Sequence, residues 1–147
     1  MPANSLAPLR GNFVMLRAGD LRLLLPQAEV GAAGYLDTRP VPGDAPGFLR
    51  SIAPDDDRCF AALSAQMTLL PQCPPERFVV ANIGDSGVAW CWDELRVLID
   101  VQLQPHALPA VLVAPHTPVR QYAEHDGEIA FLCEAGKLAG FALANGS

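Results

Sequence analysis

Gly84-Asp85-Ser86-Gly87 is the one spelling in this 147-residue chain that can surround a nucleophilic serine. Acyl transfer through such a serine needs a histidine base and an aspartate to orient it, and where this spelling carries that chemistry the two precede the serine. Here His106, His116 and His125 all follow Ser86, and the glycine-proline continuation is absent. A turn between two strands accounts for the four residues. His106 and His116 border prolines and His125 precedes Asp126-Gly127, so none stands at the close spacing that a zinc site needs. Asp55-Asp56-Asp57 and Asp93-Glu94 are adjacent acids, whereas acid/base catalysis needs opposed carboxylates in different surroundings. Cys59, Cys73, Cys91 and Cys133 include no C-x-x-C pair, and three of them sit in apolar runs, which predicts buried free thiols. No phosphate-cradling glycine loop is present. The expectation is a protein with no catalytic residues, no metal and no cofactor, acting by contact.

The elements that would position these residues are short. Half the residues are apolar and 18% are charged, enough for a packed core. Fourteen prolines and twelve glycines punctuate the apolar runs, which favours many short strands over long helices. The net charge of −6 and a single lysine, Lys137, argue against nucleic acid, whose binders concentrate basic surface. Met1 to Leu9 lacks the pattern of a secretory signal and no apolar run reaches 18 residues, so a soluble cytoplasmic protein is expected.

Residues 1–12 read as a loose tail. Phe13 to Arg17 and Leu21 to Leu25 form a hairpin, and Pro26 opens one helical turn over Gln27 to Val30. Pro40, Pro42 and Pro46 stiffen a connector that delivers Phe48, Leu49 and Ile52 into a strand. Pro54 to Asp57 form a second hairpin tip before Cys59 to Leu63, with its three acids in solvent. Pro71 to Pro75 mark a seam. Beyond it, Phe78 to Ile83 pairs with Val88 to Trp92 across the Gly84 to Gly87 turn. In the next run Leu95, Val97, Ile99, Val101 and Leu103 alternate with more polar residues, which predicts a strand that buries those five. Val111 to Val113, Val119 to Ala123, Glu128 to Cys133 and Lys137 to Leu143 bring the total to about ten strands.

In order and spelling these segments resemble the CheW-like domain, the adaptor that couples chemoreceptors to the CheA histidine kinase. The resemblance rests on Phe13-Val14-Met15-Leu16 with Leu23-Leu24-Leu25-Pro26, on the Pro40 to Pro46 linker, on Val88 to Val101 with Asp93-Glu94-Leu95, and on His125 to Leu132. It implies a mainly β fold of two intertwined five-stranded SH3-like barrels with short helical turns over residues 13–143. The first barrel would take residues 13–70 plus the C-terminal strand, and the second residues 76–135. It also implies no enzymatic activity, a receptor-binding groove between the barrels, and barrel-edge contacts to a CheA-type kinase, with no nucleic-acid partner and no membrane insertion.

The chain departs from the family at one turn. Where the family carries Asn-Leu-Arg-Gly, this sequence has Pro54-Asp55-Asp56-Asp57-Arg58, so Asp56 and Asp57 stand in the Arg-Gly positions. Reversed charge changes partner choice. The candidate partner-binding residues are therefore Asp55, Asp56, Asp57, Arg58, Arg50 and Asp44, in a divergent adaptor of a pilus-type chemosensory system. Two other readings stay open on the sequence: a β-barrel binding a small ligand, and a hydrolase using Ser86 or a cysteine.

Overall fold

The computed structural model describes residues 6–44, 47–84, 87–109, 118–138 and 141. The protein is mainly β, and the described residues hold twelve strands: β1 Leu9–Ala18, β2 Leu21–Pro26, β3 Val30–Tyr35, β4 Val41–Pro42, β5 Leu49–Arg50, β6 Cys59–Ala62, β7 Val79–Ile83, β8 Val88–Trp92, β9 Glu94–Leu103, β10 His106–Ala107, β11 Val119–His125 and β12 Glu128–Cys133. Among the described residues, no helix is long and apolar enough to cross a membrane.

The strands sort into two six-stranded sheets, in the orders β10-β11-β12-β2-β1-β9 and β3-β7-β8-β6-β5-β4. The first sheet takes residues 9–26 and 94–133, while the second takes 30–92 and is inserted between them. This partition differs from the expected one of 13–70 and 76–135, and each sheet has six strands rather than five. The cause is two parallel pairings that cannot be read locally: β12 joins β2 at Phe131 and Leu23, and β6 joins β8 from Cys59 and Val88 to Ala62 and Cys91.

Three apolar clusters hold the sheets. Phe13, Met15, Leu24, Leu98, Leu103, Ala123 and Ala130 fill the inside of the first sheet. Leu49, Phe60, Ala62, Cys73, Val80, Ala89 and Cys91 fill the inside of the second. Between the sheets lie Val14, Leu16, Leu23, Leu25, Ala61, Leu63, Ile83, Trp90 and Trp92, among others. Successive side chains of a strand point to opposite faces, so strands buried on both faces must read as unbroken apolar runs. Phe13 to Leu16 and Val88 to Trp92 do so. β9 at one edge of the first sheet and β11 near the other contribute side chains to the same apolar cluster.

In β9 the expected alternation fails. Leu98 is buried, while Val97 and Ile99 are exposed. Gly11 faces Val101 and Phe13 faces Leu98, so β9 carries one extra residue against β1. The bulge centres on Asp100, whose φ of 51° lies in the left-handed region. Its amide is satisfied by Asn12 Oδ1 at 2.8 Å, and its carboxylate is gripped by Arg10 at 3.0 and 3.2 Å. The bulge reverses the phase of the strand, so Val101 and Leu103 turn inward on one side of it and Leu98 on the other.

The C-terminal strand expected over Lys137 to Leu143 is not formed where the chain is described. Residues 135–138 and 141 are helical. Ala135, Leu138 and Phe141, three apart, lie on one helical face and pack on the inter-sheet cluster. Glu29 Oε1 accepts the Ala135 amide at 3.1 Å, supplying the capping bond that the first turn needs. The expected turn after Pro26 is a 3-10 turn at Gln27–Glu29. The described part of the proline connector pairs with the strand that follows it, Val41 facing Arg50 and Pro42 facing Leu49.

Candidate functional site

The turn between β5 and β6 carries most of the divergent charge. Ser51 Oγ accepts the Ala53 amide at 3.1 Å, and Ala53 O accepts the Asp56 amide at 3.2 Å, which folds residues 51–56 tightly. Asp56 Oδ1 then accepts the Arg58 amide at 3.2 Å, the local side-chain bond that aspartate favours in turns. The same carboxylate takes Arg58 Nε at 2.9 Å and Nη2 at 2.8 Å, a forked pair. The Arg58 guanidinium lies 4.9 Å above the centre of the Phe60 ring, within cation-π range.

The charges in this turn have clear directions. Hydrogen bonds from the Arg58 side chain and backbone lower the Asp56 carboxyl to about 2. The Asp56 hydrogen bond raises Arg58 in turn. Together they form a locked, neutral unit. Asp56 is therefore half-buried against Arg58, not spread into solvent with Asp55 and Asp57 as the sequence suggests.

Beside this turn lies an open groove of about 420 Å³, lined by Asp44, Phe48, Leu49, Arg50, Asp57, Arg58, Cys59 and Val88, with Gly43 and Gly87. Four of the six candidate residues, Asp44, Arg50, Asp57 and Arg58, thus meet on one surface. Asp55 sits at the exposed tip outside it, and Asp56 acts from behind by fixing Arg58. Among the described residues, Asp44, Arg50 and Asp57 have no ion-pair partner, so the groove offers one cation and two carboxylates besides the locked pair. Gly43 is confined: a Cβ there would stand 3.2 Å from Phe48 O, and the Gly43 amide bonds that oxygen at 2.9 Å.

Sequence reasoning missed Phe48, Cys59 and Val88 as lining residues. Val88 arrives through the parallel β6–β8 ladder, in which Cys59 faces Val88, and nothing in the local spelling signals that pairing. Ser86, Asp85 and His116 lie outside the described residues. His106 lies in β10 against the Tyr122 ring at 5.3 Å, and His125 sits 3.6 Å from Asp126 at the β11–β12 turn. No cluster suited to a metal ion occurs among the described residues. All four cysteines are free, with Cys59 partly exposed and the others buried.

No model of a known protein family matches the chain, and no curated protein matches it.

Proposed function

We propose that this protein is a non-enzymatic, cytoplasmic adaptor of a bacterial chemosensory complex, a divergent CheW-like protein that couples a receptor to a CheA-type histidine kinase. The carrying observation is the groove in which Asp44, Arg50, Asp57 and Arg58 stand together beside the short strands β4 and β5, with β4 at the edge of its sheet. A surface of mixed charges near a sheet edge selects partners by complementarity, and a wrong partner meets like charges. The nested pair of sheets and the locked Asp56–Arg58 turn support the same reading. With acids in place of the family's Arg-Gly, the partners are those of a pilus-type system rather than a flagellar one.

The test is a pull-down of the tagged protein from its own lysate, repeated with Asp56→Arg plus Asp57→Gly. Recovery of a chemosensory kinase or receptor, changed by the double substitution, is the expected result. Absence of any such partner at low salt would remove the coupling role. Binding of a flagellar-type kinase as tightly as by an ordinary adaptor would remove the altered-partner part alone.

A further inference from the structure

The inside of the first sheet is closed at one end and open at the other. Toward the β11–β12 turn, Met15, Leu24, Leu98 and Ala130 enclose only about 20 Å³, room for one water, and Arg22 on the rim is tied to Glu128 at 2.9 Å. Toward the other end, Leu9, Phe13, Leu24 and Leu132 line a cavity of about 200 Å³. Phe13 and Leu24 belong to the sheet's inner cluster and Leu132 packs on it, so this cavity is the uncovered end of a core. An apolar cavity of about 150 Å³ takes one benzene ring, so a single branched or aromatic side chain fits here.

Charges of both signs stand on its rim. Val119 faces Cys133 and Gln121 faces Leu132, which leaves Arg120 as the extra residue of a bulge in β11. Bulges re-aim a side chain, and Arg120 lines the cavity with no ion-pair partner among the described residues. Of the two acids that line it, Glu134 is paired with Lys137 Nζ at 2.9 Å, which leaves Glu29 as the free one. The Ala135 amide holds Glu29 Oε1 at 3.1 Å, fixing the carboxylate and leaving Oε2 without a partner among the described residues. The field of these acids is felt at the lining thiol of Cys133, which burial and then Glu29 and Glu134 push up to about 12.

We propose that this cavity binds one free α-amino acid with an apolar side chain, as its zwitterion. The side chain lies against Phe13, Leu24 and Leu132, the carboxylate meets the forked guanidinium of Arg120, and the ammonium meets Glu29. The balance of charge selects this class. An apolar acid without the amine leaves Glu29 uncompensated beside a second negative charge, and an apolar amine without the carboxylate is repelled by Arg120. The cavity shares no lining residue with the groove beside β5, so the proposal stands apart from the adaptor reading.

The experiment titrates the full-length chain calorimetrically with leucine and phenylalanine, then with 3-phenylpropanoate and phenethylamine, which each lack one charge. One-to-one saturable binding of leucine or phenylalanine is expected, with each single-charge analogue about tenfold weaker than phenylalanine, the effect of losing one charge-assisted hydrogen bond. Arg120 is exposed, so Arg120→Gln should keep the fold while weakening phenylalanine about tenfold and leaving phenethylamine no weaker than before. Methyl resonances of Leu24 and Leu132 should shift on binding, and those of Leu49 and Val88 in the groove should not. Absence of saturable binding by both amino acids at millimolar concentration would overturn the proposal. So would 3-phenylpropanoate binding as tightly as phenylalanine, or shifts confined to Leu49 and Val88. The analogue series is read on the wild-type chain, so a variant that fails to fold does not remove the test.

Discussion

Arg77 Nε stands 3.4 Å from Asp93 Oδ2, with the two side chains only 4% and 8% exposed. Asp93 lies between β8 and β9, where the chain passes from one sheet to the other, and its Oδ2 also accepts the Gly19 amide at 2.6 Å. Arg77 Nη1 reaches Cys91 O at 3.4 Å. This nearly dry pair therefore fastens the second sheet to the β1–β2 turn of the first. Removing one member strands the other charge, so Arg77→Ala should lower unfolding free energy by about 3–5 kcal/mol. Urea denaturation measures it, and a loss below about 1 kcal/mol, the level of a solvated pair, would contradict the dry-pair reading.

The reversed phase of β9 gives a sharp contrast between neighbours. Leu98→Ala should cost about 2–5 kcal/mol because it empties part of the first sheet's core. Ile99→Ala, on the exposed side, should stay within about 0.5 kcal/mol. Equal losses in chemical denaturation would mean that the strand is not bulged at Asp100.

Acid should reveal the Asp56–Arg58 lock. The Asp56 carboxyl is lowered from 3.8 to about 2, so its contribution to stability is present above the unfolded value and is lost as pH falls through the folded one. Compared with Asp56→Asn, the wild-type protein should hold a constant advantage above 3.8 that shrinks toward pH 2. Thermal melts of both proteins across that range supply the check, and parallel curves would contradict it.

Glu29 should control the C-terminal helical segment. Glu29→Ala removes the side-chain acceptor of the Ala135 amide and should cost about 1 kcal/mol, the usual loss of a helix cap. Hydrogen exchange at Leu138, whose amide bonds Glu134 O at 3.0 Å, should quicken in this variant while β8 amides do not change.

What the sequence made legible was local. The β1–β2, β7–β8 and β11–β12 hairpins follow from short apolar runs on either side of glycine-containing turns, and the structure has all three. The parallel ladders were illegible, because a strand's partner far along the chain leaves no local spacing. The phase of β9 was misread since a bulge costs only one residue and leaves the apolar pattern looking intact. Lys137 to Leu143 read as a strand because its small and apolar residues fit either period, but its described residues Lys137, Leu138 and Phe141 are helical, with Leu138 packed on the inter-sheet cluster. At the candidate site the charged residues were visible, but the lock between Asp56 and Arg58 depends on a turn geometry that composition does not specify.

The insertion of one sheet within the chain of the other has a consequence for assembly in time. Every strand of the second sheet lies in one unbroken span, whereas β2 ends at Pro26 and its sheet resumes only at Glu94. Bringing β1 and β9 together across that span carries a loop-closure entropy that grows with its length. Once residues 30–92 have condensed, the span between β2 and β9 is no longer free chain and much of that entropy has already been lost. During synthesis the β1–β2 hairpin emerges first yet must wait for β9 and β12 to complete its sheet. Until they arrive, its apolar faces are exposed to whatever the growing chain meets.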